Sequence, residues 1–221
     1  MSPFTVLFVL IPELADLSQV PELLDKAGIP FEHVACDNWK WSDRNPVVTF
    51  RFVHCSDKIY LHFHIVETEI IARAAEDDGR VWEDSCCEFF LSPDRNDWYY
   101  NFECNCIGTL VLHGGLRGGN RPSGPAEAYS AVRRFTTLGR EPIGLKTGRF
   151  EWDLVEEISV SALWNHDIKS LDGLTMAANF YKCGDALAHP HYLSWNPIDL
   201  PKPLFHCPEF FRPILFAPRT S

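Results

Sequence analysis

The sequence predicts an all-β chain, a single antiparallel β-sandwich of jelly-roll type with short helical turns. Three observations carry that prediction. Apolar and polar residues alternate with a period of two over many short runs, turn-rich loops separate these runs, and helical periodicity is confined to two brief pieces. No repeat, sustained heptad or compositional break divides the 221 residues, so residues 1–221 are expected to form one domain. Within it, residues 1–45 supply an N-terminal strand and a short helix packed on the sandwich.

The strongest element is a hairpin. Residues 47–54 (VVTFRFVH) and 58–66 (KIYLHFHIV) flank Ser56-Asp57. With Cys55 opposite Lys58, Val48, Phe50 and Phe52 share a face with Ile59, Leu61, Phe63 and Ile65. Thr49, Arg51, Tyr60, His62 and His64 take the other face. A second hairpin joins Cys86–Leu91 to Trp98–Cys106 through the turn-rich segment 92–97. Pairing Leu91 with Trp98 puts Cys87, Phe89 and Leu91 beside Tyr100, Phe102 and Cys104. On the opposite face Glu88 then meets Asn101, Cys86 meets Glu103, and Asn105 continues the row.

Later strands are expected at Tyr129–Phe135, Phe150–Val155, Ile158–Val160, Thr175–Tyr181 and Arg212–Phe216, with a bulge at Glu156-Glu157. Helical pieces fall at Val20–Ala27 and near Ser161–His166, and the Gly- and Pro-rich run His113–Pro125 reads as a loop. The opening Met1–Pro12 has no basic region before its short apolar run and reads as a strand rather than a leader.

Charge and cysteine content narrow the partners. A formal charge of −10 disfavours nucleic-acid backbones and anionic membranes, and no apolar run is long enough to span a bilayer. Of the eight cysteines, Cys86 and Cys87 are adjacent and Cys104 and Cys106 are two apart. Neighbouring strand residues face opposite ways, so Cys86 and Cys87 cannot serve one site. No CxxC zinc spacing occurs, and free thiols acting as small apolar residues point to a reducing compartment, although the native location stays open.

The polar face of the second hairpin is the first chemically informative feature. Glu88, Asn101, Glu103 and Asn105 share it with Tyr99 and Phe90 nearby; such carboxylates and amides suit sugar hydroxyls, and aromatic rings suit sugar C–H faces. A plain polar outer face is the competing explanation. Glu88 and Glu103, as diagonal neighbours, also raise glycoside hydrolysis. Trp82 and Trp195 each lie in a polar loop and could act as stacking plates. Trp152 and Trp164 fall by apolar strand positions, and Trp39 and Trp41 share a face expected to cover a sheet edge. His62 with His64, and His189 with His191, have ligand-like spacing but no identifiable third ligand, so hydrogen-bonded or solvent-facing histidines are favoured. Neither a phosphate loop nor a nucleophile elbow occurs.

Arg73 with residues 78–91 (DGRVWEDSCCEFFL), 99–109 (YYNFECNCIGT), 178–185 (ANFYKCGD), 191–197 (HYLSWNP) and 205–211 (FHCPEFF) form an ordered set of segments. Together they resemble family 9-like carbohydrate-binding proteins. The resemblance implies a jelly-roll sandwich that holds a mono- or oligosaccharide, such as a plant or bacterial polysaccharide end, between two tryptophans inside a polar ring. It makes Trp82 one plate and Glu88 a hydroxyl acceptor, with Trp195 as the second plate. Arg73, Asn179 and Lys182 would complete the ring with Asn101, Glu103 and Asn105. Some such modules hold structural calcium, but no Asp-rich loop assigns it here. No catalytic residue and no cofactor is expected from this resemblance. The alternatives are a glycosidase using Glu88 and Glu103, and an interaction sandwich without a small ligand.

Overall fold

A computed structural model of the chain describes residues 2–13 and 16–219; Met1 of the expected first strand lies outside them. Two sheets face each other across one large apolar core. The first orders its strands β1 (Phe4–Val6), β12 (Arg212–Phe216), β10 (Thr175–Cys183), β5 (Cys86–Ser92), β6 (Trp98–Asn105) and β7 (Leu110–Leu116), with β11 (Tyr192–Ser194) also beside β10. The second runs β2 (Glu32–His33), β3 (Val47–Cys55), β4 (Lys58–Ala72), β9 (Ile143–Ser159) and β8 (Val132–Thr136). All pairs are antiparallel except β1 with β12, so the molecule is a β-sandwich of the jelly-roll type expected. Among the described residues, no helix is long and apolar enough to cross a membrane.

The β3–β4 hairpin has the expected register, Cys55 against Lys58, and its apolar face enters the inter-sheet core. Its other face is covered rather than solvated. Helix α1 (Val20–Lys26) lies over it, and Leu17, Val20, Leu24 and Ile29 pack on Val53, Tyr60 and Val155. Arg51 donates to Asp25 Oδ1 at 2.6 Å and to the Pro21 carbonyl at 2.8 Å, tying helix to sheet. His62 and His64 share Asp153 Oδ1, at 2.8 and 3.0 Å.

Three expectations need correction. No bulge occurs at Glu156-Glu157: β9 is continuous from Ile143 to Ser159, with Glu156 buried towards the core side and Glu157 bridging Lys58 and Arg133. The register shifts lie instead where Glu67–Ala72 meets Ile143–Phe150. The segment expected as a strand from Tyr129 opens as helix α2 (Ala126–Ser130) before β8. The run expected as a loop from His113 begins inside β7, because Gly115 lets residues 120 and 121 fold back against the strand. A Cβ on Gly115 would sit 2.6 Å from the Asn120 carbonyl oxygen.

Candidate functional site

The outward face of the seven-stranded sheet carries the site. Across β10, β5, β6 and β7 one row reads Tyr181, Glu88, Glu103, Val111, and the next reads Asn179, Phe90, Asn101, His113. Glu88 is therefore directly opposite Glu103, not Asn101. The hairpin register differs by two residues from the expected one because β5 continues to Ser92, whose hydroxyl donates to the Asn96 and Trp98 carbonyls and closes the loop. An even shift leaves every side chain on its face, so the acid- and amide-rich surface survives.

Above these rows lies a cavity of about 440 Å³. Glu88, Asn101, Glu103 and Cys183 line its sheet side, with Val111 and His113 alongside. Trp82, Asp185, Tyr192 and Arg121 wall it, and Leu204, Phe205 and His206 close it from the 203–206 loop. Such a mixture of flat apolar surface and a few converging polar groups is what small-ligand pockets use.

The electrostatics are unusual for a sheet surface. Glu88 and Glu103 are both buried, and burial pushes the Glu88 carboxyl well above the usual carboxylate range, helped by the adjoining Cys183 and Glu103. Burial raises Glu103 to about 7 despite the hydrogen bond donated by Asn101 Nδ2 at 2.8 Å. Burial also raises Asp185. His206 is pushed down to about 4, chiefly by burial and then by Arg121, so it is neutral near pH 7 and bonds the Tyr99 hydroxyl at 2.8 Å. Arg121 stacks 3.6 Å over the Tyr99 ring and donates to Asn101 Oδ1 and the Gly115 carbonyl. The cavity thus holds protonatable acids able to donate or accept.

Trp82 is placed by the turn Val81–Glu83. That turn is pinned by Asp84, whose carboxylate accepts from the Arg73 and Ala74 backbone N–H groups and from Asn105 Nδ2. The Trp82 carbonyl in turn accepts from the Asp185 N–H, joining the turn to the loop after β10.

A family model described as carbohydrate-binding family 9 matches residues 18–216 of this chain. The chain belongs to carbohydrate-binding family 9. A solved candidate carbohydrate-binding protein from Bacteroides uniformis is 44% identical over 98% of this chain and 100% of that one, with a TM-score of 0.93. Two solved structures of a family 9 module from Caldicellulosiruptor kristjanssonii, one with glucose and one with cellotriose, share the fold at TM-scores of 0.63 and 0.62 and 10% identity. They cover all of this chain, which covers 98% and 96% of theirs. No curated protein matches the chain.

In this family 9 protein the residues singled out from sequence separate into two sets. Trp82, Glu88, Asn101 and Glu103 meet at the cavity. The other five do not line it. Trp195 is 8% exposed and enclosed by Phe4, Phe50 and Phe180 at 5.3–5.7 Å, with its indole N–H on Glu32. Its side chain turns into the inter-sheet core, so it does not face Trp82 across the cavity. Arg73 is exposed beside a separate groove. Asn105 and Asn179 hold backbone: Asn105 braces Asp84 and its own turn, and Asn179 pairs with Asn196. Lys182 faces inward and pairs with Glu67 at 3.0 Å.

Sequence reasoning missed Arg121, His113, Asp185, Tyr192, Leu204 and Phe205, because strands and loops distant in sequence bring them together. Phe205-His206 stood in a segment already marked by resemblance, which was the available signal. Calcium is not suited to the clustered donors. Among the described residues, one group of three His, Cys, Asp or Glu side chains lies close enough to share an ion, and two of its members are cysteines; calcium takes six to eight oxygens.

Proposed function

We propose that this family 9 protein is a non-catalytic binder of a mono- or oligosaccharide, seated in the cavity over Glu88, Asn101 and Glu103. The apolar face of one sugar ring lies on Trp82, with Phe205 and Tyr192 as further flat surface. Hydroxyls pair with Glu88, Glu103, Asn101, Arg121 and Asp185. The carrying observation is the cavity itself: two buried acids and an amide under an aromatic wall, with Arg121 reaching Asn101 rather than pairing closely with either acid. The glucose- and cellotriose-bound modules of the same fold support sugars of this size. Ends of plant or bacterial polysaccharides, exposed during glycan breakdown, are the proposed source of the ligand.

Hydrolysis is less well supported. A glycosidase sets its acid and its nucleophile or base on either side of the scissile bond. Glu88 and Glu103 rise side by side from one sheet surface as direct cross-strand partners.

Calorimetric titration with glucose, cellotriose and a panel of other oligosaccharides tests the proposal. Trp82→Ala should weaken the best ligand by about 1–3 kcal/mol. Trp195→Phe should leave affinity unchanged while lowering stability. If no sugar binds the wild-type protein, or if Trp82→Ala binds as well as wild type, the proposal fails.

A further inference from the structure

Beneath the cavity, two cysteines far apart in sequence become cross-strand partners. Cys183 on β10 lies opposite Cys86 on β5, and Glu88 is two residues further along β5 on the same face. The two thiol sulfurs and a Glu88 carboxylate oxygen all lie within 4.8 Å of one another, with Cys183 Sγ 3.1 Å from Glu88 Oε1. All three residues are buried. Among the described residues no cationic side chain pairs with Glu88, whose near neighbours include Cys183, Glu103 and Asp185. Arg121, on the cavity wall, donates to Asn101 and not to these three side chains.

We propose that Cys86, Cys183 and Glu88 form a binding site for one thiophilic divalent cation, zinc being the best match. Zinc bonds of ~2.3 Å to sulfur and ~2.0–2.2 Å to carboxylate oxygen set tetrahedral ligands roughly 3.5–3.8 Å apart, so the 3.1 Å Cys183–Glu88 contact would lengthen and any wider pair, at most 4.8 Å, would close by up to about 1 Å. Two sulfurs select zinc over calcium and magnesium. Glu88 and Cys183 line the cavity, so the fourth coordination position opens towards it and takes water or a ligand hydroxyl. Both thiols, and the Glu88 carboxyl when it carries a proton, release protons to solvent on binding. Because the metal displaces these protons, affinity should rise with pH. The site shares Glu88 with the proposed sugar cavity but does not depend on sugar binding.

Cobalt(II) is the direct probe, because thiolate ligation gives it a sulfur-to-cobalt charge-transfer absorption. Chelator-stripped, fully reduced protein without sugar should develop that band with one equivalent of cobalt per chain, and zinc should bleach it while calcium should not. Cys183→Ser and Cys86→Ser should weaken binding by more than about tenfold, since even outer-shell changes cost 10–100-fold. Glu88→Gln should weaken it too, and Cys36→Ser, outside the cluster, should behave as wild type. Absence of the band in reduced wild-type protein overturns the proposal even if a variant misfolds, as does a band that survives both Cys86→Ser and Cys183→Ser. Sugar titration of the same metal-free protein reports on the cavity separately, so either proposal can fail alone.

Discussion

Strand β10 places two buried polar clusters back to back, and they are finished differently. On the inner side Lys182 ion-pairs with Glu67 at 3.0 Å, donates to the Cys183 carbonyl and meets His191 Nε2 at 3.0 Å. Trp152 closes the other Glu67 oxygen at 2.8 Å. Burial opposes the charge on Lys182, but Glu67 overrides it and keeps the ammonium ionised. One residue along, the outer side sets Cys183 against Glu88 beside Glu103, and among the described residues no cation pairs with Glu88. The inner cluster pairs its opposite charges within the protein, as a structural network should. The outer one keeps unspent hydrogen-bonding and charge capacity facing a cavity, which fits a place for a ligand.

Breaking the paired inner cluster should have the largest effect. Lys182→Met leaves the Glu67 carboxylate buried without its partner and should cost about 3–5 kcal/mol in urea denaturation. Adding Glu67→Leu should recover much of that loss, because removing both charges also removes the uncompensated one. A single substitution costing less than about 1 kcal/mol would mean that the inner network is as loosely held as the outer one.

The outer cluster should instead show itself through pH. The folded pKa of Glu103, about 7, lies above its ordinary value of 4.5. Its burial therefore costs nothing below about pH 4.5, costs progressively more as pH rises to about 7, and is constant beyond. Glu103→Gln removes that cost and should gain stability relative to wild type across this window, by up to about 3 kcal/mol at pH 8. Paired denaturation series at pH 4, 6 and 8 measure it. A difference that does not vary with pH would mean that Glu103 is as well satisfied as Glu67.

Much of this contrast could be read from the chain, and the unread part has a physical cause. Strand alternation assigns Glu88, Asn101 and Glu103 to one face, and this holds even though the register is off by two. Alternation also puts Lys182 opposite in facing to Cys183, but resemblance alone drew it into the sugar ring. Its partner Glu67 is over a hundred residues away, on the other sheet. Trp195 was misplaced for a similar reason. A polar loop sequence does not reveal that the indole turns into a box made by Phe4, Phe50 and Phe180. Pairings between sheets and between loops depend on tertiary distance, whereas periodicity reports only on a strand's own two faces.

Trp41 offers the finest test of where the outer cluster ends. It is 57% exposed, and its ring meets Tyr192 edge-on at 5.7 Å, while Tyr192 itself walls the cavity. Trp39 behind it is more enclosed: it packs on Phe205 and donates to the Leu200 carbonyl at 2.7 Å. Trp39 thus braces the wall, whereas Trp41 keeps an exposed ring outside the cavity lining, next to Tyr192, where a ligand longer than one sugar unit would be needed to meet it. Trp41→Ala should leave glucose affinity unchanged and weaken cellotriose by about 0.5–1.5 kcal/mol, read by calorimetry on both sugars. Equal losses for the two would bring Trp41 into the cavity proper. No loss for either would confine recognition to the surface between Trp82 and Phe205, and the ligand contact would then end at Tyr192.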